Sequence, residues 1–128
     1  MVSSPLMPDA AKEFVNVIRD GGVLTARITA PNVEESEALV LFNTVRAAID
    51  QAGSDLQVMV LDLGEVTFIN SSGLAVCIRL RNGAAEHGAR TIVYRAREDV
   101  TDLFRLVQVD RLYAFASDAQ ELDNLVSQ

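Results

Sequence analysis

Val58-Met59-Val60-Leu61 is an unbroken apolar run, the pattern of a strand covered on both faces, which a parallel sheet requires. Such a strand needs helices above and below it and crossover connections to its neighbours. The rest of the chain supplies them. On the C-terminal side, leucine and cysteine recur at helical spacing from Ser72 to His87, burying Leu74, Cys77 and Ile78, exposing Arg79, Arg81 and Glu86, and ending at Gly88. Thr91–Tyr94 returns as a strand. On the N-terminal side, Ala38, Leu41, Phe42, Val45 and Ile49 follow a 3.6-residue period up to a stop at Gly53.

The ends of the chain extend this alternation. Phe14–Arg19 and Val23–Thr29 are strand-like runs joined through Asp20-Gly21-Gly22, where glycine supplies the positive φ of a tight hairpin. Val100, Leu103, Phe104 and Val107 predict a third helix, and Leu112–Phe115 a short strand. Ser117 with Gln120 three positions on has capping-box spacing, opening a last helix that buries Ala119, Leu122, Leu125 and Val126. A hairpin followed by strand and helix units predicts an α/β fold: a mixed, mostly parallel sheet of about five strands with about four helices packed against it. The proline-containing leader Met1–Pro8 has no periodicity, so residues 1–12 are expected to be a flexible leader and residues 13–127 the domain.

Composition narrows the function. Apolar residues make up 49% and charged residues 23% of the 128, a globular profile. The net charge of −7 repels phosphate backbones and anionic lipid and favours a partner with a basic contact surface. Nucleic acid is therefore not expected as a partner. One cysteine, Cys77, allows no internal disulfide, and no segment has the length and apolarity of a membrane span or signal peptide, so the expected location is the cytoplasm.

The segment Asp62-Leu63-Gly64-Glu65-Val66-Thr67-Phe68-Ile69-Asn70-Ser71-Ser72-Gly73-Leu74 joins the apolar strand to the second helix. Asn70, Ser71 and Ser72 are capping residues, because their side-chain oxygens accept the unpaired N–H groups of a first helical turn. Gly73, inside the helix, costs about 1 kcal/mol relative to alanine and predicts a close approach to the backbone there.

This stretch, VMVLDLGEVTFINSSGLAV, resembles the STAS domains, and within them the bacterial anti-sigma-factor antagonists, whose pattern is a buried strand ending in Asp-Leu, a short loop, then Asp-Ser-Ser-Gly-Leu opening a helix. Asp99-Val100-Thr101-Asp102-Leu103-Phe104-Arg105-Leu106 with Val109 and Leu112 is similar to the family's third helix and following strand. The resemblance runs from about Phe14 to about Val126. It implies the STAS (SpoIIAA-like) fold, no enzymatic activity of the domain itself, no cofactor, no metal, and a partner-switching cycle. An anti-sigma factor with serine kinase activity would be bound and its sigma factor freed. Phosphorylation at Ser71 would release the complex, and a serine phosphatase would reset it. Ser72 is the second candidate for modification. The implied contact surface comprises Phe68, Asn70, Ser71, Ser72, Gly73 and Leu74, on a monomer or weak homodimer.

Two features depart from that pattern. Asn70 stands where the family usually has aspartate, keeping a capping oxygen and losing a charge. Ala30-Pro31-Asn32-Val33 replaces the usual Gly-Glu-Leu-Asp type of turn. A second function is therefore carried: an unphosphorylated STAS subunit of a signalling scaffold or of a membrane transporter's cytoplasmic assembly.

Other reactive residues read as structural. Cys77 is expected in the core. His87 is expected to engage the last helical carbonyls, and at the far end of the helix from Ser71 it cannot form a hydrolase pair with it. No G-x-S-x-G, HExxH or P-loop motif occurs. Glu34, Glu35 and Glu37 form an acidic first helical turn that also enlarges an acidic face.

Overall fold

A computed structural model describes residues 13–128, so the expected leader, residues 1–12, lies outside the described residues. Among these described residues, seven strands and four α-helices follow in the order β1 (Val15–Asp20), β2 (Val23–Ile28), β3 (Asn32–Val33), α1 (Glu35–Ala52), β4 (Val58–Asp62), β5 (Phe68–Ile69), α2 (Ser71–Glu86), β6 (Arg90–Tyr94), α3 (Glu98–Leu106), β7 (Ala114–Ala116) and α4 (Ala119–Val126). Five strands form the main sheet in the order β1-β2-β4-β6-β7; β1 is antiparallel to β2 and the rest are parallel. The architecture is the expected α/β sheet with four helices.

The apolar run occupies the central strand β4, whose five residues are all buried. Alternation divides its side chains. Met59 and Leu61 join the larger core with Leu41, Val45 and Ile49 of α1, Leu74, Cys77 and Leu80 of α2, and Val100 and Phe104 of α3. Val58 and Val60 face the other way, with Ile92 and Ala116, and there Leu122, Leu125 and Val126 of α4 cover them. Each fully buried leucine or isoleucine stabilises this arrangement by roughly 2 kcal/mol. The hairpin forms as expected, with Gly21 at φ 59° in its turn.

The local departures have physical causes. The last helix is capped one residue later than expected: Asp118 accepts from Glu121 N at 2.9 Å, and Glu121 Oε1 accepts from Ser117 N at 2.8 Å. Ser117 and Gln120 are therefore not the box, and Ala119 is exposed. α3 stops at Leu106, because Gln108 turns to φ 63°, and Val107 is left outside the helix and exposed. Leu112 lies in a single 3-10 turn rather than in the strand. His87 does not engage the final carbonyls through its ring. Its backbone N–H donates to Ala84 O at 3.0 Å, and Nε2 lies 3.4 Å from Asp50 Oδ1 on α1.

Candidate functional site

The parallel strands deliver their connecting loops to one edge of the sheet, the usual location of binding residues in α/β folds. The loop from β4 to α2 is fixed first at Asp62, only 6% exposed. Asp62 Oδ1 accepts from Gly64 N at 3.0 Å and from Arg95 Nε at 3.2 Å, while Oδ2 accepts from Arg95 Nη2 at 2.9 Å. The hydrogen bond and charge of Asp62 raise the Arg95 guanidinium above its ordinary pKa. Arg95 holds φ 60°, a conformation costly for a residue with a Cβ, and its guanidinium lies so close over Gly64 that a side chain there would collide. On the other flank, Arg27 Nε donates to Glu65 Oε2 at 2.8 Å.

The second half of the loop is tied to the segment before α1. The Pro31 carbonyl accepts from Thr67 N at 2.8 Å, Phe68 N at 3.1 Å and Thr67 Oγ1 at 3.1 Å. β5 then pairs in parallel with β3, Phe68 beside Asn32 and Ile69 beside Val33. Asn70 N closes this second, two-stranded sheet by donating to Val33 O at 3.2 Å. The segment Ala30-Pro31-Asn32-Val33 is thus the scaffold of the loop.

Asn70 caps α2. Its backbone is extended, and Oδ1 accepts from Gly73 N at 3.1 Å while its carbonyl accepts from Leu74 N at 2.9 Å. Ser71 and Ser72 are therefore the first two residues of the helix. Ser71 is exposed and Ser72 half-buried, and among the described residues neither hydroxyl makes a hydrogen bond. Their backbone N–H groups belong to the unpaired first turn, where the helix dipole favours an anion.

Of the other residues assigned to the contact surface, Phe68 is 50% exposed and Asn70 half-buried. Gly73 and Leu74 are buried, so they support the surface from below instead of forming it. The close approach inferred from Gly73 comes from the chain itself: a Cβ there would lie 2.7 Å from Val33 O and from Ile69 Cγ1. Glu34 precedes α1, and Glu37 Oε1 accepts from its N–H at 3.0 Å; this bond, with a second from Glu37's own amide, holds the Glu37 carboxyl below its ordinary range. Cys77 is buried, and desolvation pushes its thiol up to about 12. Among the described residues no group of three or more His, Cys, Asp or Glu side chains could hold a metal ion, and no helix is long and apolar enough to cross a membrane.

Sequence reasoning missed the two-stranded sheet, the Asp62–Arg95 clasp and Leu39. The first carries only two residues per strand, too few for alternation to register. Arg95 gave no signal beyond its place after a strand, whereas Leu39 broke the polar face of α1 in plain view.

Comparison with known proteins agrees with this geometry. The STAS domain family model matches residues 15–122, and the chain belongs to that family. A search of curated proteins gave no significant match. Among solved structures, an anti-sigma-factor antagonist (STAS) domain protein from Planctomyces limnophilus superposes with a TM-score of 0.76 at 17% identity, covering 89% of this chain and 98% of that one. The antagonist SpoIIAA of Bacillus in its unphosphorylated form gives 0.73 at 13%, covering 89% and 97%. The murine anion transporter Slc26a9 gives 0.67 at 17%, covering 87% of this chain and 19% of the transporter. At these identities the likeness establishes a shared fold.

Proposed function

We propose that this STAS domain is an anti-sigma factor antagonist in the cytoplasm. It binds an anti-sigma factor with serine kinase activity, frees a sigma factor for transcription, and is switched by phosphorylation at Ser71 and reset by a serine phosphatase. In this reading the domain is a binding module rather than an enzyme and acts as a monomer or weak homodimer. The observation that carries it is an exposed Ser71 whose hydroxyl has no hydrogen-bond partner among the described residues, at the start of a helix whose loop is pinned on both sides.

A phosphate on Ser71 adds about −1.5 to −2 charges. The first-turn amides and dipole accommodate it within the domain, so no refolding is needed. Across the interface its effect is opposite. A kinase must bring a nucleotide phosphate and a catalytic carboxylate to this hydroxyl. A single partner carboxylate at ~6 Å opposes each added charge by ~3 kcal/mol at an effective dielectric of ~20, a weakening of roughly a hundredfold.

Incubation with ATP and the kinase-type anti-sigma factor of the same genome tests the reading. One phosphate is expected on Ser71, absent in Ser71→Ala, with weaker binding by Ser71→Asp. Phosphate gained undiminished by Ser71→Ala would refute the assignment to Ser71, and move it to Ser72 if Ser72→Ala abolished it.

A second reading, an unphosphorylated STAS subunit of a scaffold or transporter assembly, is favoured by Asn70, which removes the carboxylate beside Ser71. The transporter among the structural neighbours supports it at the level of fold. Co-purification with a membrane transporter or with other STAS proteins, and no phosphate on the chain, would select it.

A further inference from the structure

α1 and α2 lie side by side in a constant register. The Arg79 guanidinium sits 4.0 Å above the centre of the Phe42 ring, Arg46 crosses directly over Gly83, and His87 meets Asp50 across a separation of 37 residues. The pairs 42 with 79, 46 with 83 and 50 with 87 all keep that separation, and rising numbers meet rising numbers, so the helices are parallel. Carried toward the N-termini, the register sets Glu35 beside Ser72 and Leu39 beside Ala75 and Val76.

Leu39 projects toward this seam. At 100° per residue it falls about 20° from both Arg46 and Asp50, which touch α2. It is nevertheless 63% exposed. Phe68, 50% exposed, stands three residues before Ser71. By this register, two large apolar side chains lie toward the N-terminal half of α2, Leu39 on α1 and Phe68 on β5 just before it. Around them Glu34 and Glu35 are exposed, and among the described residues no cation pairs with Glu34, Glu35 or Glu37.

We infer that Leu39 and Phe68 are the apolar anchors of one docking surface centred on Ser71, and that its occupant is a partner protein with an apolar pocket rimmed by lysine or arginine. This rests on the proposed reading of Ser71 and identifies the partner's contact chemistry. The acidic rim disfavours an anionic membrane. In a twofold contact with a second copy, the rim would face itself, a like-charge juxtaposition that costs affinity. Charge is divided by position: cations of the partner meet Glu34 and Glu35 at the periphery, while its phosphate-transferring centre meets Ser71. The rim steers association and the anchors slow dissociation.

The test measures binding of the full chain to the kinase-type anti-sigma factor of the same genome, by biosensor kinetics. Leu39→Ser and Phe68→Ser are each expected to weaken binding at least tenfold through faster dissociation. Glu35→Lys is expected to slow association several-fold at low salt, with the difference fading at high salt. Leu106→Ser, at an exposed leucine at the end of α3, serves as a control expected to stay within twofold. Leu39→Ser and Phe68→Ser that both bind like the wild type, while Ser71→Asp weakens binding, would overturn the docking surface and leave the Ser71 reading standing. Loss with Leu39→Ser but no effect of Ser71→Asp would support the surface and refute the switch. A wild-type chain that binds no such factor overturns both.

Discussion

Replacing Gly73 with alanine sets two known effects against each other. Inside a helix, alanine is favoured over glycine by about 1 kcal/mol, so propensity alone predicts a stabilised protein. The built Cβ, however, would lie 2.7 Å from Val33 O, 2.7 Å from Ile69 Cγ1 and 2.8 Å from Val33 Cγ1. Val33 and Ile69 are both buried, and Val33 O already accepts from Asn70 N at 3.2 Å. Relief therefore requires β3 to move away from α2, with loss of the bond that closes the two-stranded sheet. Overpacking of this kind costs about 1–3 kcal/mol, and a lost backbone bond adds about 1. The net expectation is destabilisation by about 1–3 kcal/mol, a fall in Tm of roughly 4 °C per kcal/mol for a domain of this size. Denaturant titration with an unchanged m-value, checked by thermal melting, measures it. A Gly73→Ala protein as stable as the wild type, or more so, would refute the claim that β3 packs immovably against the first turn of α2.

Three further outcomes follow from the same geometry. Arg95→Ala should destabilise by roughly 1–2 kcal/mol, less than a fully buried pair because Arg95 is 42% exposed, while speeding amide exchange at Gly64; Arg95→Gly should recover part of the stability by relaxing φ 60° but not the protection of that amide, and unchanged exchange in both would dismiss the clasp. Tyr113→Phe should stabilise by about 1 kcal/mol, since the buried hydroxyl has no partner among the described residues, and a loss of stability in a melting experiment would show that it has one. Alkaline pH should destabilise the domain through Cys77: its pKa is raised by folding, from 9.0 to about 12, so its contribution is intact below pH 9 and declines as pH climbs toward 12. Denaturation midpoints from pH 8 to 11 should fall less steeply for Cys77→Ala, and parallel slopes would contradict the assignment.

The main sheet was legible because its signals are strong and local. Val58–Leu61 could be covered on both faces only at the centre of a parallel sheet, and the stripes of α1 and α2 repeat over several turns. The errors fall where signals compete within one residue. Ser117 and Asp118 are both good caps, and Asp118 is the one whose carboxylate reaches Glu121 N. Val107 continued an apolar period that the left-handed turn at Gln108 interrupts. At the candidate site, the motif located the Ser71 loop, but not how it is held. Pro31 contributes a carbonyl, and Arg95 a guanidinium from just beyond the end of β6, so neither bond leaves a trace in local pattern.

That method of holding the loop bears on how a switch at Ser71 could operate. If α2 could slide when charged, the signal would be a change of shape. Here the first turn of α2 is locked to β3 by Gly73 against Val33, the loop before it hangs on Pro31 O, and its base is clasped by Arg95. A charge at Ser71 therefore has little elastic freedom to exploit within the domain, and its energy is expressed against whatever docks there. The same stiffness joins α1 to the site: because β3 leads directly into α1, a partner that grips Leu39 or Glu35 is held at a fixed distance from the Ser71 hydroxyl. Orientation is then set by the docking residues, and Asn70 need supply only the cap.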